Sequence, residues 1–229
     1  MQCPRCFWLD ARLKIKRPDG PPFQINKAID ELFKKEFDGY RQKGEPHPLM
    51  VEFGVEAIPF QHDQLDQWRE TFTGVVALHK PTNLHIFGAV DDLWTNSAGE
   101  VIVVDYKATA KDKDVSLDAD WQISYKRQME VYQWLLRQNG LAVSDTGYFV
   151  YANGRLDLDG FYNKVEFRTK IIPYTGNDAW IEPKLQAIKQ CLEGEMPAVG
   201  VSIMGGDCEF CGYARQRTEL TLQELRKKR

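Results

Sequence analysis

The sequence lacks the features of a membrane protein, of a secreted protein and of a protein that coats nucleic acid by charge. No apolar run approaches the roughly 18 residues that a transmembrane helix needs. The first residues do not show the basic and then apolar pattern of a secretory signal. There is no excess of basic residues, because 30 Lys and Arg stand against 33 Asp and Glu, a net charge of -3. We therefore expect a cytoplasmic protein with no membrane partner.

Internal repeats and low-complexity linkers are also missing from the sequence. The 229 residues are 43% hydrophobic and 28% charged, as in an ordinary globular chain. A chain of this length can bury a sizeable core without disulfide bonds. We predict a single domain over residues 1–229, with cysteine-bearing segments at 1–12 and 200–215.

Four of the five cysteines form two C-x-x-C pairs, Cys3 with Cys6 and Cys208 with Cys211. In a reducing compartment such pairs favour a metal site over disulfides. Four thiolates suit Zn²⁺ or an iron–sulfur cluster, and the spacing does not decide between them. If all four share one site, it joins the two ends of the chain; otherwise they are unrelated small core residues. Cys191 has no such partner and is expected in the core.

Hydrophobic periodicity predicts an α+β fold. Helical spacing predicts helices over about 25–40, from 121 to the Asn139–Gly140 stop, over 179–192, and a short charged helix at the end. Apolar stretches predict strands over 74–79, 84–94, 101–107, 148–152 and 164–172. Asn96–Gly99 forms the turn between the second and third of these strands, and Asn153–Gly154 separates the last two. Residues 45–70 are expected to be irregular with one short strand, and 108–120 to be a polar loop.

Charged residues appear where the apolar strand 101–107 ends. Alternate side chains of a strand share a face, so Asp105 and Lys107 point the same way and Tyr106 points to the opposite face. The length of the hairpin turn allows Asp91 to approach Asp105. Two carboxylates beside an ammonium group make an oxygen site that suits Mg²⁺ or Mn²⁺. Such an ion can activate a water for hydrolysis, and the lysine can orient that water or stabilise developing charge.

Five motifs in chain order resemble the RecB-like branch of the PD-(D/E)XK nuclease superfamily. They are Cys3-x-x-Cys6, Gly88-x-x-Asp91, Asp105-x-Lys107, Gln128-x-x-x-Tyr132 and Cys208-x-x-Cys211. The intervals agree as well, with 14 positions from Asp91 to Asp105 and 21 from Lys107 to Gln128. The cysteine ends are similar to those of cluster-bearing members, including the CRISPR-associated nuclease of that branch. The resemblance spans essentially the whole chain and implies an α/β/α core like that of restriction endonucleases, with a mixed sheet flanked by helices.

The resemblance also implies roles for these residues. Asp91 and Asp105 would bind the divalent metal, joined by the backbone carbonyl of Tyr106. Lys107 would assist the nucleophilic water. Gln128 and Tyr132, one turn apart on a helix, would lie over the site and help place Lys107 or the DNA strand.

Two features of the sequence depart from the pattern of the family. Many relatives carry a histidine metal ligand at the start of the first helix, where this chain has Asn26. An asparagine offers a neutral oxygen to a hard metal, and Asp30 or Glu31 one turn later are candidate substitutes. Cluster-bearing relatives commonly have one cysteine near the start and three near the end, whereas this chain has two and two. The resemblance favours [4Fe–4S] over Zn²⁺, with a structural role for either.

The sequence therefore predicts a metal-dependent DNA nuclease, an exonuclease or an enzyme that prefers single strands, with Trp94 and Trp121 as candidate base-stacking residues. The first alternative is a catalytically weak member that binds DNA or a partner protein, and the second is a zinc-only interaction module. Single-stranded DNA, duplex ends and protein partners of a repair, phage or CRISPR pathway all fit these residues. The oligomeric state stays open.

Overall fold

The structure is a computed structural model that describes residues 3–20, 24–202 and 205–228. The chain divides into two compact units. The sheet unit comprises the described residues of 22–180, and the cysteine unit those of 1–21 and 181–229. The prediction of a single domain stays a prediction, and its residues Met1, Gln2, Pro21–Phe23, Ile203, Met204 and Arg229 lie outside the described residues.

The four longest helices lie where the periodicity predicts them. In chain order the helices are α1 (Pro4–Leu13), which was not predicted, α2 (Gln24–Lys43), α3 (Pro48–Glu52), α4 (Leu65–Trp68), α5 (Ile123–Gln138), α6 (Ile181–Glu193) and α7 (Glu209–Lys227). Gly140, with a φ of +84°, follows α5 in the left-handed conformation that ends many helices. The last helix is not short, because α7 spans 19 residues. Among the described residues, no helix has both the length and the apolar character that a membrane span requires.

The strands of the sheet unit are β1 (Ala57–Pro59), β2 (Val75–His79), β3 (Leu84–Gly88), β4 (Asp92–Asn96), β5 (Val101–Thr109), β6 (Thr146–Gly154) and β7 (Phe167–Thr175). Five of them form one mixed sheet in the order β1-β4-β5-β6-β7. Strands β5 and β6 are parallel, and the other neighbours in this sheet are antiparallel. Strands β2 and β3 form a separate antiparallel ribbon. The α+β fold with helices around a mixed sheet is therefore confirmed.

Helix α2 packs against one face of the sheet through a narrow apolar stripe. Phe33 and Phe37 are buried against Ile102, Val104 and Tyr106, alternate residues of β5. The side chains that the sequence predicts in the same stripe at Ile25 and Leu32 are exposed. The contact surface of α2 is therefore narrower than its apolar periodicity suggests.

Helix α5 packs against β5 and against the β2–β3 ribbon. Gly147 of β6 accommodates it closely, because a Cβ atom there would lie 2.4 Å from the sulfur of Met129 and 2.8 Å from the carbonyl oxygen of Val103. The face of β5 turned away from α2 is the face that carries Asp105 and Lys107. This packing gives the α/β/α layering.

The prediction of one strand over 84–94 is wrong, because β3 ends at Gly88 and β4 begins at Asp92 in the other sheet. Hydrogen bonds divert the chain between them. The N–H of Val90 donates to the carbonyl of Trp68 over 3.0 Å, and the guanidinium Nε of Arg69 donates to the carbonyl of Asp91 over 3.1 Å. The Asn96–Gly99 turn between β4 and β5 is confirmed, with Gly99 at a φ of +78°.

Two further predictions of local structure need correction. Asn153 and Gly154 lie inside β6, because they pair with Arg168 and Phe167 of β7, and residues 155–166 make the connection. Residues 45–70 contain the short helices α3 and α4 in addition to the predicted short strand. Both helices have fewer than six residues, which is too short for a periodic apolar signal.

Candidate functional site

The β4–β5 hairpin brings Asp91 next to Asp105. Asp92 is opposite Val104 in the register, which sets Asp91 beside the end of the apolar run of β5. A carboxylate oxygen of Asp91, Oδ2, accepts a hydrogen bond of 2.9 Å from the N–H of Tyr106. The side chain of Tyr106 points into the α2 core, as alternation requires.

Lys107 shares the face of Asp105, and its ammonium nitrogen forms an ion pair with Asp105 Oδ2. The same nitrogen lies 4.7 Å from the centre of the Tyr125 ring on α5. The side chain of Asp105 is 1% exposed and that of Lys107 is 16% exposed. The carboxylate is therefore buried while the ammonium group reaches toward solvent.

Burial and nearby negative charge disfavour the charged forms of both Asp91 and Asp105. Burial and then the negative charge of Asp105 raise the pKa of Asp91 to about 8, although Lys107 opposes that shift. Burial also raises the pKa of Asp105, again against the influence of Lys107. A bound cation would relieve this repulsion, because it favours the charged form of both groups.

Helix α2 contributes a third carboxylate, that of Asp30. Its charge raises the pKa of both Asp91 and Asp105. Asp30 Oδ2 accepts a hydrogen bond of 2.7 Å from the ammonium group of Lys34. Asn26, one turn earlier, is exposed and lines the same cleft, whereas Glu31 is exposed and does not line it.

The donor set fits a hard divalent cation. In the part of the chain that the structure describes, Oδ1 of Asp105 and Oδ1 of Asp30 are buried and accept no hydrogen bond. Buried carboxylate oxygens normally have a partner. Carboxylate and amide oxygens are the ligands that Mg²⁺ and Mn²⁺ prefer.

Gln128 and Tyr132 lie over this site from α5. The Gln128 side-chain nitrogen donates a hydrogen bond of 2.8 Å to the Tyr132 hydroxyl. Burial raises the pKa of Tyr132 to about 12, and the charges of Asp91 and Asp105 add to that shift while Gln128 opposes it. The hydroxyl of Tyr132 therefore stays protonated.

The glycine of the Gly88-x-x-Asp91 motif makes room for Tyr132. A Cβ atom at Gly88 would lie 2.6 Å from Cε1 of the Tyr132 ring, inside van der Waals contact. Gly74, which immediately precedes β2, is equally tight, because its own Cβ would lie 2.4 Å from the carbonyl oxygen of Gly88. Gly88 therefore allows the ribbon to approach α5, and Gly74 allows the chain at the start of β2 to approach Gly88.

A buried ion network fixes the chain beside Asp91. Asp92 is fully buried, and its carboxylate pairs with the guanidinium groups of Arg41 and Arg69. The Tyr106 hydroxyl donates to its other oxygen over 2.8 Å. Arg69 also forms hydrogen bonds of 3.0 and 2.9 Å with the two oxygens of Asp38.

Sequence reasoning missed this network. The available signal was Asp92 itself, since a carboxylate next to the apolar residues of a central strand needs a buried cationic partner. Its arginine partners come from α2 and from the end of α4, and no local pattern identifies them. The predicted residues Asn26, Asp91, Asp105, Tyr106, Lys107, Gln128 and Tyr132 do lie together. Five of them, Asn26, Asp91, Tyr106, Lys107 and Gln128, line a cleft with a volume of about 360 Å³.

The four predicted cysteines also lie together, in the cysteine unit. Their sulfur atoms are all within 4.8 Å of one another. The separations are 3.7 Å for Cys3 and Cys211, 3.7 Å for Cys6 and Cys208, and 3.5 Å for Cys6 and Cys211. The prediction that the terminal pairs form one cluster able to bind a metal is confirmed.

Each C-x-x-C pair begins a helix. Cys3 and Cys208 are the N-cap residues of α1 and α7. Burial disfavours the Cys3 thiolate, but the N–H groups of Cys6 and Gly200 lower the pKa of Cys3 to about 6. The N–H of Gly200 lies 3.3 Å from the Cys3 sulfur. Helix N-termini stabilise thiolates, which are the form that binds metals.

Arg17 lies against this cluster. Its guanidinium nitrogen NH2 is 3.5 Å from the sulfur of Cys208, and the guanidinium carbon lies 4.7 Å from the centre of the Phe210 ring. A cation at this position compensates part of the negative charge of four thiolates. Cys191 lies outside the cluster and is half-buried on α6.

In a comparison with known protein families, the model of the PD-(D/E)XK nuclease superfamily matches residues 10–216. The chain therefore belongs to the PD-(D/E)XK nuclease superfamily, and the resemblance of its motifs to this superfamily is confirmed. Searches of curated proteins and of solved structures found no match.

Proposed function

We propose that this protein is a divalent-metal-dependent deoxyribonuclease that hydrolyses phosphodiester bonds in the cleft of the sheet unit. The observation that carries this proposal is the convergence of Asp91, Asp105 and Lys107 at the end of the β4–β5 hairpin. Membership of a superfamily of nucleases supports it. The fold by itself would not support the proposal, because one fold can host many activities.

Three carboxylates and an amide would hold the cation. Asp91 and Asp105 would bind it directly, with Asp30 and Asn26 approaching from α2 and with the Tyr106 carbonyl as a further ligand. A bound Mg²⁺ or Mn²⁺ would supply Lewis acidity to the scissile phosphate and would lower the pKa of a water. The protein fixes these oxygens on a rigid strand and on a packed helix.

The other residues of the cleft would act on the attacking water and on the DNA strand. Lys107 carries an ammonium group at the mouth of the cleft, where it would orient the attacking water and stabilise charge on the phosphate oxygens. Gln128 and the protonated Tyr132 would hold the neighbouring part of the substrate by hydrogen bonds. Lys27 also lines the cleft and is available to contact a phosphate group.

Substitution of Asp105 and Lys107 tests the proposal. Asp105→Ala and Lys107→Ala should each abolish cleavage that depends on Mg²⁺ or Mn²⁺ while the far-UV spectrum of the folded protein is retained. Lys164→Ala is a matched control, because Lys164 forms its ion pair with Glu166 in the exposed 155–166 connection. Cleavage that is unchanged by both cleft substitutions would remove the proposed catalytic centre. If the unaltered protein cleaves DNA, assays on end-blocked and circular DNA distinguish an exonuclease from an endonuclease. The same assays on single-stranded and duplex DNA show which form the enzyme prefers.

A second candidate function is binding without efficient cleavage. Asn26 favours it, because it is exposed and neutral where many relatives have an imidazole ligand. Calorimetric titration with Mg²⁺ or Mn²⁺, run beside a nuclease assay, separates the two functions. DNA binding without metal binding at Asp91 and Asp105 would select the binding module. A zinc-only interaction module would bind neither DNA nor a metal at these residues.

For the cysteine cluster we propose a structural metal centre. The resemblance favours [4Fe–4S], but the sulfur separations favour a single ion such as Zn²⁺. Four sulfurs at the usual Zn–S distance form a tetrahedron with edges of about 3.8 Å, close to the 3.5–3.7 Å separations. In a cubane each thiolate binds a different iron, which spreads the sulfurs further apart.

The visible spectrum of protein purified without oxygen tests this assignment. A colourless protein with about one zinc per chain by elemental analysis is the expected result. A brown protein containing iron and acid-labile sulfide would support [4Fe–4S] instead. Neither result bears on cleavage in the sheet unit. The cytoplasmic location and the protein partners in repair, phage or CRISPR pathways stay predictions.

A further inference from the structure

Two adjacent aromatic rings, flanked by a lysine at each end, lead out of the cleft of the sheet unit. The Lys107 ammonium lies 4.7 Å from the centre of the Tyr125 ring. The Tyr125 and Trp121 rings meet edge to face with centres 5.3 Å apart. The Lys111 ammonium lies 5.5 Å from the centre of the Trp121 ring. We call these four residues the Trp121 row.

The loop that carries Trp121 is held in place from inside. Gln122 is 1% exposed, and its side chain donates to the carbonyl of Ser116 over 2.6 Å and accepts from the N–H of Ala119 over 2.9 Å. Trp121 itself is half-buried, so part of the residue is accessible to solvent. A ring fixed before binding loses little conformational entropy when a ligand stacks on it.

The outer end of the row is fixed as well. The side chain of Asn153 in β6 accepts from the N–H of Lys111 over 2.8 Å and donates to its carbonyl over 3.0 Å. Asn153 is 5% exposed, so these bonds are shielded from water. The backbone at Lys111 is therefore tied to β6, while Gln122 holds the loop together next to Trp121.

The charges of this loop argue against recognition by phosphate attraction alone. Residues 108–120 contain two lysines, Lys111 and Lys113, and four acids, Asp112, Asp114, Asp118 and Asp120. A polyanion gains little from such a surface by electrostatics. The rings are therefore the groups that would supply affinity, because base–aromatic stacking tolerates every base.

We propose that the Trp121 row is a binding site for unpaired bases of a polynucleotide strand, with Trp121 as the stacking platform. The inference rests on the proposed function, since the row ends at Lys107 in the cleft. Paired bases are stacked on each other and cannot reach the ring, so the site selects single-stranded segments over duplex. Trp94, the other tryptophan considered from the sequence, is 0% exposed in the α2 core and cannot stack on a base.

Fluorescence anisotropy with labelled 12-nucleotide DNA, in buffer without added Mg²⁺ or Mn²⁺ and without a chelator, tests the proposal without cleavage and leaves the cysteine cluster intact. The unaltered protein should bind a normal single strand at least tenfold more tightly than an abasic strand of the same length, and more tightly than blunt duplex. The abasic strand keeps every phosphate group and lacks every base. Equal affinity for normal and abasic strands would overturn the proposal, and so would preference for the duplex.

Variants localise the effect to the row. Trp121→Leu should weaken binding of the normal strand roughly tenfold, whereas Trp121→Phe, which keeps a ring, should restore most of the affinity. Lys43→Gln is the matched control, because Lys43 lies over the Tyr40 ring at 5.0 Å on α2, in a cation–π pair outside the row. Binding that is equal in Trp121→Leu and unaltered protein would overturn the proposal.

The nuclease assay separates this result from the proposed function. Cleavage by the unaltered protein, together with no effect of Trp121→Leu on binding, would reject the base-binding site alone. Loss of binding in Trp121→Leu, together with no cleavage under any divalent metal, would reject the nuclease and support the base-binding site.

Discussion

The two candidate metal sites of this protein are built from opposite chemistries. The cleft of the sheet unit offers hard oxygen donors on a central strand and on α2, beside the ammonium group of Lys107. The cluster of the cysteine unit offers four soft sulfur donors, close enough to surround one ion. The first set leaves room for a substrate, while the second is filled by its own ligands.

The supports of the two sites differ as well. Within each C-x-x-C pair the sulfurs are placed by short-range structure, since each pair begins a helix, and only the meeting of the two pairs is a long-range contact. The carboxylates are placed by long-range contacts, chiefly the network of Asp92, Arg41 and Arg69. We therefore expect the oxygen site to be sensitive to distant buried substitutions, and the sulfur site to substitutions of its ligands.

The largest effect should come from removal of one thiolate. Cys208→Ser leaves three thiolates, which hold a structural ion far less tightly, so the purified protein should lose most of its bound metal. Elemental analysis measures this loss. Cys191→Ser is the control, since the sulfur of Cys191 lies outside the cluster. Equal metal content in the two variants would contradict the assignment of the cluster.

Loss of the buried carboxylate beside Asp91 should have the next largest effect. Asp92→Ala leaves Arg41 and Arg69 buried without their partner, which should lower the free energy of unfolding by about 3–5 kcal/mol. Denaturant titration followed by circular dichroism measures this change. Cleavage should fall as well, because Arg69 also binds the carbonyl of Asp91.

The matched control for this prediction is Asp157→Ala. Asp157 is also a carboxylate bound by two arginines, Arg155 and Arg168, but Asp157 and Arg168 are exposed and Arg155 is only half-buried. Exposed ion pairs contribute little to stability, so the free energy of unfolding of this variant should be close to that of the unaltered protein. If both substitutions destabilised equally, the buried network would not be what supports the oxygen site.

A smaller effect should distinguish Asp30 from its neighbour. Asp30→Asn removes one charged ligand from the cleft, and we expect about a tenfold rise in the Mn²⁺ concentration that gives half-maximal cleavage. Glu31→Gln changes an exposed residue outside the cleft and should leave that concentration unchanged. The reverse result would assign the third acid to Glu31.

The smallest effect should come from Arg17. Arg17→Gln removes the cation that lies 3.5 Å from the Cys208 sulfur, so loss of metal to a chelator should accelerate a few-fold. Arg215→Gln is the control, because Arg215 is an exposed arginine of the same unit on α7. Identical rates for the two variants would show that Arg17 does not stabilise the metal centre.

Most of the candidate oxygen site could be predicted from local pattern. Strand alternation places Asp105 and Lys107 on one face, and the Asn96–Gly99 turn brings Asp91 beside them. Helical spacing places Gln128 and Tyr132 one turn apart, within a hydrogen bond. These relations follow from repeats of two and 3.6 residues, which any strand and any helix obey.

Other parts could not be predicted because they depend on contacts between distant segments. The break between β3 and β4 follows from hydrogen bonds with Trp68 and Arg69. Asp30 lines the cleft and Glu31 does not, and this depends on the orientation of α2 about its axis where it packs against the sheet. The fixed position of Trp121 depends on Gln122, whose partners form only after the loop has folded.

The sequence by itself determined the four longest helices, most of the strands, the two cysteine pairs and the acids and lysine at the end of an apolar strand. Backbone periodicity, turn residues and ligand spacing are local properties, so they can be read along the chain. Tertiary structure alone decided which buried arginines balance Asp92, which acid of α2 joins the cleft and which tryptophan stays accessible. Burial and ion pairing depend on packing between segments far apart in the chain, and no local pattern contains that information.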